Sequence, residues 1–328
     1  MTEDRPAQPT RWFERPTFRH AAVVIAIAVT MASVFAVSYS LALARPTPHH
    51  IPAGIVGERA AAPAAIAALE RATHGGLAFR PYPSAPAAER AIDEQTIYAA
   101  LLTGAHPRLL VASASGTSVA RLLEQAAASA GPLTVVDLHP LPSKDPQGLV
   151  SFYVTLAATL LGFVTMFQLR ANAAELSLRA WLACIGVLAV AGGFALAFVT
   201  DVLLGALRGS FADLWAALAA QISVAALFNS TMLTLIGRWA IVVTWGFFVA
   251  VGNAASGGAV APPLLPGFYG FISRYVPTGA TIQTIRNAVY FPHAQHLGPI
   301  IVEAAWIACM LTALVVAART LGRTPSSG

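Results

Sequence analysis

Six apolar stretches divide the chain. They are Ala21–Leu43, Leu149–Leu169, Ala180–Leu204, Leu214–Ile236, Trp239–Ala255 and Pro299–Ala318. The first has 23 residues without a charge; at 1.5 Å per residue it reaches about 35 Å, enough to cross a hydrocarbon core of about 30 Å. Ala42-Leu43-Ala44 resembles a signal-peptidase site, but the apolar run exceeds the usual signal core. The pattern therefore predicts an uncleaved anchor.

Between the first two stretches the pattern changes. Residues 44–148 hold eight of the fifteen acids, from Glu58 to Asp145, and are punctuated by prolines from Pro46 to Pro146. Short apolar runs at Ile51–Gly57, Gly76–Tyr82, Arg108–Ser113 and Leu133–Leu138 predict strands. Ala64–Thr73, Ala87–Leu102 and Ser118–Ala130 predict helices. Such alternation predicts a small α/β sandwich with a mostly parallel sheet. The fold class is an α-helical polytopic membrane protein of six transmembrane helices with an inserted extracytoplasmic α/β domain. Residues 1–20 form a cytoplasmic N-terminus and 21–43 the first helix. Residues 44–148 form the outer domain and 149–318 a five-helix membrane domain. Residues 319–328 are a cytoplasmic tail.

Composition supports this division. Apolar residues make up 56% of the chain and charged residues 11%, against about 25% charged in an ordinary soluble domain. Mean hydropathy is +0.66. Nineteen of the twenty basic residues are arginines, and Lys144 is the sole lysine. They stand singly, with no aromatic-interleaved basic patch, which argues against nucleic-acid binding. Their placement sets the orientation. Arg5, Arg11, Arg15, Arg19, Arg170, Arg179, Arg238, Arg319 and Arg323 fall on one side, against Arg208, Arg274 and Arg286 in the short connections of the other. Positive residues favour the cytoplasm, so both termini face inward and the α/β domain faces outward, in a multi-pass plasma-membrane protein. Cys184 and Cys309 lie within apolar stretches and read as small apolar residues of helices.

Candidate chemistry is sparse. No Gly-rich loop supplies a phosphate-cradling lysine, and no zinc-protease, serine-hydrolase or calcium-loop pattern is present. We therefore expect no enzymatic activity, no metal and no cofactor in this chain. The histidines of the outer domain (His49, His50, His74, His106 and His139) show no ligand spacing. Polar residues within apolar stretches are costly and stand out: Gln221, Asn229 and Ser230, Asn253 and Ser256, Asp201, and Glu303. Helix–helix hydrogen bonding is the plain alternative to a functional role for each. The most informative segment runs from Asn253 to Phe291. It is apolar but interrupted by Gly257, Gly258, Pro262, Pro263, Pro266, Gly267, Pro277 and Gly279. After Pro277 comes an amphipathic piece of about 13 residues, too short to span. Broken backbone at membrane depth is tolerated only when packed in protein or lining a wet cavity. This predicts a re-entrant hairpin at about 259–298 on the outer side; an ordinary outside loop is the alternative.

The order Asn253-x-x-Ser256-Gly257-Gly258, Pro263-Leu264-Leu265-Pro266, Pro277, Arg286-Asn287 and Tyr290-Phe291 resembles the C-terminal signature of ABC-2 type transporter permeases. Ser113-Ala114-Ser115 and the segment Leu138–Gly148 are similar to the branch related to the phage-infection protein, whose members carry an outer domain between the first two helices. The resemblance extends from about residue 50 onward. It implies a permease half that pairs as a homodimer, or as a heterodimer with another permease, in the lipid bilayer. A separate cytoplasmic ATP-binding subunit would press on the loop Arg170–Arg179, where Glu175 and Arg179 form an i,i+4 pair on a helical segment. ATP would act through that subunit. The hairpin residues Asn253, Ser256, Gly257, Gly258, Pro262, Pro266, Pro277 and Arg286 would shape the transport path. Lipids, drugs and polysaccharides are the substrate classes implied. A non-transporting surface scaffold or receptor displaying the outer domain is the competing reading.

Overall fold

The structure is a computed structural model that describes residues 16–44, 46–173, 176–294, 296–322 and 325. Among these, five helical runs are long and apolar enough to cross a membrane: Phe18–Leu43, Val150–Asn172, Leu178–Leu203, Phe211–Asn253 and Leu297–Leu321. The chain is mostly helical and suited to a membrane. The first helix, α1 (Pro16–Leu43), begins earlier than the expected boundary at residue 21. The last, α11 (Leu297–Leu321), continues past the expected boundary at residue 318. Arg5, Arg11, Arg15 and Arg323 lie outside the described residues.

The fourth run has 43 residues. Straight, it would be about 65 Å long. It is instead two antiparallel arms. The first, α7 (Phe211–Ile236), ends at Gly237, whose φ of +61° an L side chain rarely adopts. The second is α8 (Ala240–Trp245), prolonged as a π-helical segment Gly246–Asn253. The Thr244 hydroxyl donates to Asn229 Oδ1 at 3.0 Å, and the Phe228 and Phe247 rings stack at 4.9 Å. In one straight helix residues 229 and 244 would be about 22 Å apart. The two separate stretches expected here are thus one helical hairpin closed by a glycine.

The arms join α5 (Val150–Asn172) and α6 (Leu178–Ala197, continued as a π-helical segment to Leu203) in a bundle centred on α7. The α5–α7 seam is close because Gly162 faces the α7 backbone; a Cβ there would lie 2.6 Å from the Ile222 carbonyl oxygen. In contrast, α1 is almost wholly exposed, with Val24, Ile25 and Leu41 more than 60% accessible. Such side chains suit lipid better than water.

In the connection between α5 and α6, where a helical segment is expected, the described residues Ala173, Leu176 and Ser177 lie outside helix. Arg170 belongs to the last turn of α5 and Arg179 to the first turn of α6. Ser177 adopts extended backbone, and its hydroxyl caps the new helix by accepting from Ala180 N at 3.3 Å. This cap sets where α6 begins. Glu175 lies outside the described residues. Arg170 donates to the Leu233 carbonyl at 3.1 Å, satisfying an end of α7.

Residues 51–137 form the α/β unit. Its strands are β1 (Ile51–Val56), β2 (Leu77–Tyr82), β3 (Ala99–Leu102), β4 (Arg108–Val111) and β5 (Thr134–Asp137), ordered β2-β1-β3-β4-β5. Only the β3–β4 ladder is antiparallel. Helices α2 (Pro63–Ala72) and α4 (Thr117–Ala128) cover one face; α3 (Ala85–Asp93) covers the other. The expected helix Ala87–Leu102 is corrected: it ends at Asp93, and its second half is β3. Ala99 and Leu101 point to the α2/α4 face, Ala100 and Leu102 to the α3 face. A strand buried on both faces has no period-two signal. The break itself lies at Gln95, which takes φ +52° without being glycine.

We predict that Gly162→Ala forces α5 away from α7 and lowers the melting temperature of the detergent-solubilised chain. The overpacking cost is about 1–3 kcal/mol. Gly186 on α6 has nothing within 4 Å of an added Cβ, so Gly186→Ala should melt at or slightly above the wild-type temperature. Indistinguishable melting of the two variants would contradict this account of the seam.

Candidate functional site

The broken segment after Asn253 makes a double excursion. Residues 258–264 run out to the α/β unit. Ala261 N donates to Ser118 Oγ at 2.8 Å, and Thr47 N and His49 N donate to the Leu264 and Pro263 carbonyls at 2.9 and 3.0 Å. Ala261 and Leu264 belong to the hydrophobic core of that unit. The chain then returns inward through α9 (Gly267–Ile272) and turns. It comes back as α10 (Pro277–Tyr290). At the turn the Thr278 hydroxyl donates to the Gly252 carbonyl at 2.7 Å, and Trp306 Nε1 donates to the Tyr275 carbonyl at 2.8 Å. Thr281, one turn on, meets Gln221, ten residues into α7. At the other end Ser210 N, just before α7, bonds the Ala288 carbonyl at 3.4 Å. The α10 helix therefore spans only the depth between the middle of α7 and its N-terminal end. Its 14 residues measure about 21 Å, and ten of them are buried.

At the inner end of α10 a polar cluster ties four helices together. Gln221 Nε2 donates to Thr159 Oγ1 at 2.6 Å, and the Thr281 hydroxyl contacts Gln221 Oε1 at 2.8 Å and the Glu303 carboxyl. Gln221 and Thr281 are fully buried; Thr159 and Glu303 nearly so. One hydroxyl proton cannot serve two acceptors. With the amide as observed, the network closes when the Glu303 acid donates to Thr281 and Thr281 donates to Gln221. With the amide reversed, it closes on the carboxylate. The cluster thus accommodates either form of Glu303 by turning one amide. Glu303 also lines a cavity of about 240 Å³ between α7, α10 and α11, with Asp213, Thr284, Asn287 and His296.

The other predicted residues separate into distinct roles. Asn229 ties three helices: it donates to the Phe163 carbonyl at 3.1 Å and accepts from Thr244. Ser230 accepts from Trp181 Nε1 at 2.8 Å. These match the plain helix–helix reading. Asn253 donates to Tyr39 of α1 at 2.6 Å, and its buried Oδ1 has no hydrogen-bond partner among the described residues. Ser256 caps the turn, donating to the Asn253 carbonyl at 2.7 Å and accepting from Gly258 N at 3.3 Å. The positive φ of this turn, +75°, is at Gly257. Gly258 is constrained by space: an added Cβ would lie 2.7 Å from both Ile282 Cδ1 and Phe152 Cδ2. Pro262, Pro266 and Pro277 each stand at the start of a short helix, where a missing N–H costs nothing.

Arg286 lies under the α/β unit. It donates to the Gly258 carbonyl at 3.2 Å. Burial pushes its guanidinium below the ordinary value, opposed by Tyr98, Tyr290 and Asp145. Burial likewise raises the phenol of Tyr98, opposed by Arg286. Asp145 accepts from Leu149 N and Val150 N at 2.9 and 3.1 Å, capping α5. Gln95 donates to Asn287 Oδ1 at 2.7 Å and also contacts Gln283. His296 Nε2 bonds the Glu94 carbonyl at 2.6 Å. Gln95, Tyr98, Asp145, Thr159 and Thr281 were not singled out by the sequence. Of these, Asp145 alone carried a signal, four residues before an apolar stretch. Among the histidines, His139 pairs with Asp93 at 2.7 Å and packs on Phe291. No family model, curated protein or solved structure matches the chain.

Glu303→Gln keeps a group able to donate or accept, and should melt close to wild type. Glu303→Ala should melt clearly lower, because buried polar groups left unpaired cost about 1–3 kcal/mol. Equal melting of the two variants in detergent would remove Glu303 from the cluster's stabilising role.

Proposed function

We propose that the chain is the permease subunit of an ABC-2 type exporter. It carries a lipid-, drug- or polysaccharide-like substrate out of the cytoplasm or the inner leaflet of the plasma membrane. Counting the two arms closed at Gly237 separately gives six crossings, with residues 254–261 completing the fifth. Both termini are cytoplasmic and the α/β unit is an inserted outer domain. Two permease chains, identical or not, form the path. A cytoplasmic ATP-binding subunit presses on residues 170–179, and ATP is hydrolysed there and not in this chain.

The observation that carries this reading is the half-depth hairpin α9–α10. It is covered by α7 and α11 and bonded to the α/β unit above. A backbone broken at this depth is expensive unless packed or lining a wet path. A display scaffold needs only an anchor such as α1. A packed half-helix between crossing helices and an outer domain suits a path whose exit changes shape.

Two measurements test it. Cysteines introduced at Ser84 and Ser210 should react with an impermeant thiol reagent on intact cells, and one at Ser326, outside the described residues, should not. Labelling at Ser326 on sealed cells overturns the orientation. Gly258→Val should abolish export while membrane insertion survives, because its side chain must displace Phe152 and Ile282. Unimpaired export by this variant sinks the path reading.

A further inference from the structure

Between the hairpin and the start of α11 lies a cavity of about 420 Å³. Two arginines line it: Arg286 of α10 and Arg274 of the preceding turn. Arg286 is 5% exposed, and it donates to an uncharged carbonyl, Gly258 O. No ion pair to either arginine occurs among the described residues. Asp145, whose field reaches Arg286, is committed to the two backbone N–H groups of α5. A guanidinium keeps its charge and offers five donors. Asp145 balances its charge through space only, so most of these donors are left without a carboxylate partner in this buried position. Ser256, Ser273 and Gln283 are polar residues of the same walls, the Ser256 hydroxyl already donating to Asn253 and the Gln283 amide to Gln95 and Asn287, and no Asp or Glu is among the lining residues.

The rim is apolar. Phe271 and Tyr275 lie under the Arg274 guanidinium at 6.0 and 5.8 Å and are 60% and 52% exposed. On α11, Leu297 and Ile301 flank the lining residues Gly298, Pro299 and Val302 and are 70% and 63% exposed. A positive interior bordered by exposed aromatic and aliphatic side chains matches an amphiphile with an anionic head. Planar guanidinium forks suit phosphate oxygens. With no carboxylate in the walls, a choline group finds no counter-charge, and Arg274 already lies over the Phe271 and Tyr275 rings.

The geometry points to this cavity as a binding site for the phosphate headgroup of an anionic lipid or lipid-like amphiphile, its acyl chains lying over the apolar rim. This deepens the permease reading by naming the substrate class, and it rests on that reading only in taking the bound molecule to be cargo.

The test uses the full chain in uncharged detergent and a phosphatidylglycerol carrying a fluorescent acyl chain. Unlabelled phosphatidylglycerol should displace the probe. Phosphatidylcholine should be at least about tenfold weaker, and inorganic phosphate at equal concentration should not displace it. Arg286→Gln and Arg274→Gln should each weaken binding by about tenfold or more, one charged contact being lost. Arg319→Gln, near the far end of α11, should leave it unchanged. Arg286 is buried and its variant can fail by unfolding, so the exposed Arg274 variant decides. Wild-type affinity in Arg274→Gln, equal binding of phosphatidylcholine, or displacement by phosphate as effective as by lipid overturns the proposal. Selective binding by a chain that exports nothing leaves the site standing and removes the permease reading. Unselective binding by an export-competent chain does the reverse.

Discussion

A helix interrupted inside hydrocarbon must find partners elsewhere for every backbone group it frees, and much of this structure answers that demand. The interruption runs from Ala254 to Val276. Its outward limb borrows a hydroxyl from Ser118 and backbone donors from Thr47 and His49. Its inward limb is tied by Trp306 and Thr278, and Arg286 reaches across to Gly258. Helices α10 and α11 and the α/β unit thus supply the hydrogen bonds that a continuous helix would have made for itself. The unit is no appendage on this view. Its own core incorporates Ala261 and Leu264, so the segment that leads into the hairpin completes the packing of the unit.

The position of α7 follows from the same constraint. A short helix such as α10 cannot be held by lipid, which is no worse a solvent for apolar side chains than a protein neighbour. Close packing and polar contacts must hold it. Gly162 lets α5 approach α7, and Gly193 on α6 faces Ala219 N at 2.9 Å for an added Cβ. The Gln221 side chain then works from both sides, to Thr159 on α5 and to Thr281 on α10. Glu303 closes the circuit from α11.

What the sequence showed and what it hid divide along physical lines. Apolar length marked α1, α5, α6, α7 and α11, and prolines and glycines marked the broken segment, because these signals are local. Four of the five strands were legible from short apolar runs between turn residues. The fifth, Ala99–Leu102, was not: Ala-Ala-Leu-Leu after a helical pattern gives no period, and Gln95 occupies the left-handed stop where glycine is usual. Thr159 and Thr281 were invisible for another reason. Threonine in a helix ordinarily bonds the carbonyl four residues back; Thr159 does so, and the Thr281 hydroxyl lies within reach of the Pro277 carbonyl as an alternative to its cluster partners, so only the fold reveals the other contacts. Within Arg170–Arg179 the described residues show the Ser177 cap that starts α6, whereas the expected Glu175–Arg179 pair lies partly outside the described residues.

Gln95 joins the α/β unit to the helices below it. A non-glycine residue at positive φ stores strain of about 1–3 kcal/mol and persists where the surroundings over-determine it. Here the same residue ends α3, frees the chain to enter β3, and points its amide at Gln283 and Asn287 of α10. Glu94, its neighbour, receives His296 just before α11. The α3–β3 turn thus reaches both α10 and the start of α11, on either side of the cavity that Glu303 lines. A displacement of the α/β unit would be felt by α10 and α11 together. The hydrogen bonds of this turn link the unit directly to the helices that carry Thr281 and Glu303.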